Sequence, residues 1–172
     1  MNIKLIIMDV DGVLTDGKLH LSSNGDELKS FHTQDGMGIS LARYAGIKSA
    51  IITGRTSEAV NRRAKELKID YVYQGIKDKT QILNEIIAFE NVEKENICYI
   101  GDDINDLPIL KQVGYAASPS NAVPLVLKNV DFVAERPGGE GAVRSIIDNI
   151  LEQQAEYSNL IRNFINVEDF VQ

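Results

Sequence analysis

The chain has 172 residues, with 18 Lys+Arg against 25 Asp+Glu, a formal net charge of −7 and 44% hydrophobic positions. That length suits one domain whose core needs neither disulfide nor structural metal, and a lone cysteine, Cys98, excludes an intramolecular bridge. The acidic balance, without any Lys/Arg-rich block, argues against nucleic acid or an anionic membrane as partner.

The apolar N-terminus reaches only Met8 before Asp9 interrupts it, too short for a signal or spanning segment, which points to the cytoplasm. Ile3–Met8 is apolar on consecutive positions, as in a strand covered on both faces. Lys18–Phe31 alternates with period two around Ser23-Asn24-Gly25-Asp26, and the Asn-Gly pair predicts a projecting β-hairpin. Gly36–Tyr44 has helical spacing. Ser49–Ile52 predicts a second strand ending at Thr53, followed by a helix over Ser57–Leu67. Tyr71–Tyr73 predicts a third strand ending at Gln74, and Lys79–Phe89 a helix. A fourth strand, Ile97–Ile100, ends at Gly101; after a helix at Leu107–Gln112, a fifth, Tyr115–Ala117, ends at Ser118. Gly141–Glu152 predicts the closing helix. This alternation is that of an α/β fold: a Rossmann-like, mainly parallel sheet with helices on both faces and a projecting hairpin. The domain is expected to span residues 1–152. Residues 153–172 form a C-terminal tail, polar with scattered apolar residues (Leu160, Ile161, Phe164, Ile165, Phe170, Val171), either a docking helix or a frayed end.

In open α/β sheets ligands gather at the carboxyl ends of the strands, so the polar residues ending these runs belong to one set. Asp9 and Asp11 end the first strand on one side of the chain, with Val10 on the other. Two carboxylates in one small volume raise each other's pKa or require a cation, and an oxygen-rich site suits Mg²⁺. An Asp-Gly turn alone accounts for Asp11-Gly12 equally well. The fourth strand, however, also ends in acids, Gly101-Asp102-Asp103-Ile104-Asn105-Asp106, and a helix start rich in acids does not explain two separate strands ending this way. Thr53-Gly54-Arg55 offers a hydroxyl, a flexible backbone and a guanidinium suited to phosphoryl oxygens, although Thr53 or Ser57 serves equally as a helix cap. Lys79 opens a helix beside two competitors, Lys77 and Asp78. Together these parts describe phosphoryl transfer. There is no Gly-x-Gly-x-x-Gly, no Gly-x-x-x-x-Gly-Lys-Ser/Thr and no Gly-x-Ser-x-Gly, which leaves hydride transfer, nucleotide triphosphate binding and serine hydrolysis without support.

Asp9–Gly17, Ile51–Arg55, Lys79 and Gly101–Asp106 resemble, in order, the four motifs of the haloacid dehalogenase superfamily of phosphohydrolases, through about Asn149. The resemblance implies that Asp9 is the nucleophile that becomes an aspartyl phosphate and Asp11 the acid/base. It implies Mg²⁺ held by Asp9, the carbonyl of Asp11 and Asp102, phosphoryl oxygens held by Thr53 and Lys79, and support from Asp103 and Asp106. A closer resemblance, to the 3-deoxy-D-manno-octulosonate 8-phosphate phosphatase group, rests on the hairpin, Phe31–Ile39, Tyr73-Gln74-Gly75 and Gly138–Arg144. It implies sugar-acid contacts from His32, Thr33, Gln34, Asp35, Gly36, Gly54, Arg55 and Arg63, with Arg62 competing with Arg63; a basic residue often found at the position of Ser40 is missing. The gaps between motifs leave no room for a cap domain, and capless members are homotetramers whose hairpins pack together. Leu19, Leu21, Leu28 and Phe31 would give this hairpin something to bury. The expected activity is hydrolysis of that eight-carbon acid phosphate. The alternatives are a sialic-type nine-carbon acid 9-phosphate as substrate and, more remotely, a non-catalytic phosphoacceptor domain.

Overall fold

The computed structural model describes residues 1–24, 27–154 and 156–166. Six strands form one wholly parallel sheet: β1 (Leu5–Met8), β4 (Lys48–Ile52), β5 (Tyr71–Tyr73), β6 (Ile97–Ile100), β7 (Tyr115–Ser118) and β8 (Phe132–Val133). Two more, β2 (His20–Leu21) and β3 (Glu27–Leu28), pair antiparallel as a separate hairpin. Its predicted turn includes Gly25 and Asp26, which lie outside the described residues.

The sheet order β5-β4-β1-β6-β7-β8 means that the chain winds outward from β1 to one edge, then returns to β6 and winds to the other. The switch point lies between β1 and β6, where diverging connections open a crevice beyond the strand ends. Met8 pairs with both Ile51 and Ile100, so the residues after β1, β4 and β6 emerge level with one another.

The consecutive apolar runs supply two cores. Ile6 and Met8 of β1 face one layer and Leu5 and Ile7 the other, as the period of two requires. The first layer holds α1 (Thr33–Tyr44), α2 (Glu58–Glu66) and α6 (Ala142–Gln154), through Ile39, Val60 and Ile146 among others. The second holds α3 (Lys79–Glu90), α4 (Leu107–Leu110) and α5 (Pro124–Leu127), through Leu83, Ile109 and Val126. Cys98 is fully buried in the first core, and burial pushes its thiol pKa far up, so it packs as a small hydrophobe.

The expected strands and major helices are present, with small shifts at their ends. β8 and α5 are additions: a two-residue strand and a four-residue helix are too short to show a period. After α6 the tail forms α7 (Tyr157–Ile165), which docks by burying Phe164 against Tyr44 at a ring-centroid distance of 5.4 Å. The predicted tail residues Phe170 and Val171 lie outside the described residues. Among the described residues no segment forms a cap: the hairpin and α1 fill the gap after β1, and α2 with β5 fills the gap after β4.

Candidate active site

Asp9 follows β1 directly, and its backbone N–H donates to the Ile100 carbonyl at 3.0 Å, which fixes it at the switch point. The residue is buried, 6% exposed. Oδ1 accepts from the Val10 N–H at 2.7 Å and Oδ2 lies 2.7 Å from Lys79 Nζ. Asp78 caps α3 by accepting from the N–H groups of Thr80 and Gln81, which leaves Lys79 as the first helical residue with its side chain turned inward. Asp78 serves as the cap and Lys77 is exposed, so of these three neighbours Lys79 is the one that reaches Asp9.

Lys79 also donates to Asp106 Oδ1 at 2.8 Å, and Tyr99 donates to the same oxygen at 2.6 Å. Asp106 Oδ2 accepts from the backbone N–H groups of Asp102 and Asp103 at 3.0 and 3.3 Å. Both oxygens of this fully buried carboxylate are therefore occupied. Asp106 shapes the loop and aims Lys79.

Carboxylate oxygens of Asp9, Asp102 and Asp106 lie within 4.8 Å of one another. Of the three acids, Asp102 has the spare capacity: its Oδ1 is buried with no hydrogen-bond partner. A buried carboxylate oxygen without a donor is costly unless a cation meets it. Gly12 makes room for this acid, since its φ of +88° suits glycine and a Cβ there would fall 2.0 Å from Asp102 Oδ2. The donor set, all oxygen and mostly carboxylate, fits Mg²⁺.

Burial, the nearby Asp106 and other acids push the Asp102 pKa up to about 7. Burial likewise raises Asp9 to about 6, although Lys79 pulls against it. An acid whose folded pKa is raised holds extra protons in the folded state. The stability these two groups contribute to the metal-free protein therefore falls as pH rises from about 4 to about 7. A divalent cation must displace those protons. Mg²⁺ affinity is expected to weaken as pH falls below about 7, with net proton release on binding. Calorimetric titrations near pH 6.5 in buffers of different ionisation enthalpy check this, and equal heats in all of them would contradict it.

The cleft above these acids, about 180 Å³, is also lined by Asp11, Thr53, Gly54, Arg55, Asp103 and Asn105. Thr53 is buried just beyond β4, and its Oγ1 accepts weakly from the Arg55 N–H at 3.5 Å. Asp103 is exposed and spends a carboxylate oxygen on the Ile104 N–H at 2.7 Å, closing a turn with Asp106. Asp11 stands apart from the carboxylate cluster and pairs instead with Lys29 and Arg55. Gly138 and Gly139 pack on the loop after Asp9: the Gly139 N–H donates to the Val13 carbonyl at 3.1 Å, and a Cβ on Gly138 would fall 1.8 Å from the Gly12 carbonyl oxygen.

The remaining predicted site residues are not among those lining the cleft. His32 caps α1, its Nδ1 accepting from the Gln34 N–H at 3.2 Å, and Thr33 is the exposed first residue of that helix. Gln34 accepts from Arg136 at 2.9 Å. Asp35 is buried and accepts from the Arg144 N–H at 2.8 Å, so it holds the start of α6 against α1, beside the buried Gly36. Arg63 lies on α2, 3.4 Å from Glu66, while Arg62 is exposed. Sequence reasoning missed Tyr99, whose hydroxyl hides in an apolar run, and Glu27 and Lys29, whose signal was the charged half of the hairpin's alternation.

A switch-point crevice holding an aspartate, a buried lysine and an oxygen-rich cation site is the architecture of a phosphoryl-transfer hydrolase. The model of the haloacid dehalogenase-like hydrolase family matches residues 72–146. The 3-deoxy-D-manno-octulosonate 8-phosphate phosphatase KdsC of Escherichia coli K12 is 40% identical over 155 residues, covering 90% of this chain and 82% of that protein. Among solved structures, the phosphatase of that name from Moraxella catarrhalis, in complex with magnesium ion, phosphate ion and a KDO molecule, has a TM-score of 0.91 at 40% identity and covers 94% of this chain and 93% of its own. The cobalt-bound deoxy-D-mannose-octulosonate 8-phosphate phosphatase from Haemophilus influenzae also gives 0.91, at 38% identity, covering 96% and 98%. The chain belongs to the haloacid dehalogenase-like hydrolases, within their 3-deoxy-D-manno-octulosonate 8-phosphate phosphatase group.

Proposed function

We propose that the chain is a Mg²⁺-dependent phosphatase that hydrolyses 3-deoxy-D-manno-octulosonate 8-phosphate through a phosphorylated Asp9. The observation that carries the chemistry is the meeting of Asp9, Lys79 and the unpartnered Asp102 oxygen at one switch point. The substrate rests on likeness to relatives with that activity in their names. Asp9, the Asp11 carbonyl and Asp102 would hold Mg²⁺, which when bound offsets the repulsion between a carboxylate and a phosphate dianion.

Asp9 attacks phosphorus as the bond to the sugar oxygen breaks, and Asp11 gives that oxygen a proton. Water then attacks the acyl phosphate, Asp11 takes the water's proton, and Asp9 is released with inorganic phosphate. Lys79 and Thr53 hold the phosphoryl oxygens. Residues 32–36 and Arg63 take part in sugar recognition across a contact with a neighbouring chain, in a tetramer. The exposed Leu19, Leu21 and Leu28, at 49%, 68% and 69%, give the hairpins something to bury there, while Phe31 already packs on the core. No helix among the described residues is long and apolar enough to cross a membrane.

Phosphate release should occur with Mg²⁺, stop with EDTA, and favour the eight-carbon 8-phosphate over a nine-carbon acid 9-phosphate by about tenfold or more in kcat/KM. The reverse preference would move the assignment to the nine-carbon acid. EDTA-resistant turnover would overturn the mechanism.

A further inference from the structure

The hairpin turns one face toward the catalytic cleft. Alternation along β3 and into the residue after it sends Glu27 and Lys29 to one side and the exposed Leu28 to the other. The Lys29 side chain is only 1% exposed. Its ammonium lies 2.8 Å from Glu27 Oε1 and donates to Asp11 Oδ1. Glu27 Oε2 in turn accepts from the Arg55 guanidinium at 3.1 Å, and Arg55 Nε lies 3.7 Å from Asp11 Oδ2. Two cations and two carboxylates thus form a closed ring, and each oxygen of Asp11 faces one of the cations.

Burying an ammonium this deeply is unfavourable without paired carboxylates, so the ring is a built feature. It also accounts for a second observation. Asp11 is two residues from Asp9, yet its carboxyl stays out of the cluster formed by Asp9, Asp102 and Asp106. A carboxyl that is to protonate a leaving oxygen must keep clear of the cation site and point at the reacting bond.

We infer that Lys29, itself fixed by Glu27, is a positioning residue that holds the Asp11 carboxyl toward the leaving oxygen, so that the hairpin completes the acid/base of its own chain. The inference rests on the phosphatase reading. A ring that merely pins the hairpin would affect stability, not the way rate depends on the leaving group. The step at issue moves one proton from Asp11 to the departing oxygen while the Asp9–phosphorus bond forms and the phosphorus–oxygen bond breaks. Poor leaving groups need that proton most.

The test is kcat/KM for aryl phosphates of rising leaving-group pKa, from 4-nitrophenyl to phenyl phosphate, which carry no carboxylate to be recognised. Lys29→Met should lose about tenfold more on phenyl than on 4-nitrophenyl phosphate, steepening the dependence. Glu27→Gln should steepen it in the same direction by less, and serves as the test if Lys29→Met does not fold. Lys29→Arg should restore most of the wild-type slope. Unchanged slopes, whatever the overall loss, overturn the inference alone. Wild-type protein inactive on every phosphate overturns the phosphatase reading and this inference with it.

Discussion

Asp9→Asn is expected to abolish turnover, lowering kcat by about 10⁴-fold or more, the scale on which removal of a nucleophile acts when the rest of a site survives. The substitution keeps the shape of the side chain and the Val10 N–H can still donate to its remaining oxygen. What is lost is the charge. A neutral amide is no nucleophile toward phosphorus, and it no longer answers the Lys79 ammonium 2.7 Å away. The fold should persist, since Lys79 keeps its contact with Asp106 at 2.8 Å. Steady-state phosphate release measures the loss. Acid-quenched wild-type enzyme, digested and analysed by mass spectrometry, should carry phosphate on the peptide containing Asp9, and the variant should not. Activity within about a hundredfold of wild type would place the nucleophile elsewhere.

The parts of the site legible in the sequence were those that close a strand. Apolar runs covered on both faces announce a parallel sheet, and three of them lead into the crevice: Asp9 and Thr53 directly, and Asp102 one residue beyond Gly101, all line it. Side chains acting across long sequence gaps were not legible. Tyr99 reads as core because three of the four residues of its strand are apolar aliphatic or Cys, and it is buried; only the fold reveals that its hydroxyl reaches Asp106. Asp35 carries no local mark of its link to Arg144, 109 residues away. Thr33 joins α1 three residues earlier than helical spacing suggests, because His32 supplies an imidazole cap where Ser or Asp is the usual signal. Glu27 and Lys29 were visible as alternating charges, but their partners Asp11 and Arg55 lie beyond the reach of any local pattern.

Lys79→Met should damage both stability and catalysis, and the pH at which stability is measured should decide how much. Lys79 is 5% exposed, and its ammonium sits between Asp9 and the fully buried Asp106. Burial pulls its pKa down, but the two carboxylates outweigh burial and leave it raised, so the lysine itself keeps its charge across pH 5 to 8 and would lose it only as pH climbs past its ordinary value of 10.5; any change in its worth within that range comes from its partners. Removing one partner of a buried ion pair typically costs about 3–5 kcal/mol, because the remaining charge is left uncompensated. Here the acids have an escape. Asp9 already titrates near 6 with Lys79 in place, and without the lysine it should hold its proton to higher pH still. The destabilisation should therefore approach the full penalty near pH 8 and shrink toward pH 5, where a protonated Asp9 needs no counter-charge. Urea unfolding across that range checks the trend, and a penalty independent of pH would show that the lysine acts by packing alone. Mg²⁺ should recover part of the loss at pH 8, since it brings positive charge to Asp9 and Asp102 by another route. It should not recover turnover. A cation held by those acids leaves the phosphoryl oxygens nearest α3 without a donor, and kcat should stay lower by about 10²–10³-fold, the scale of losing one fixed stabilising donor.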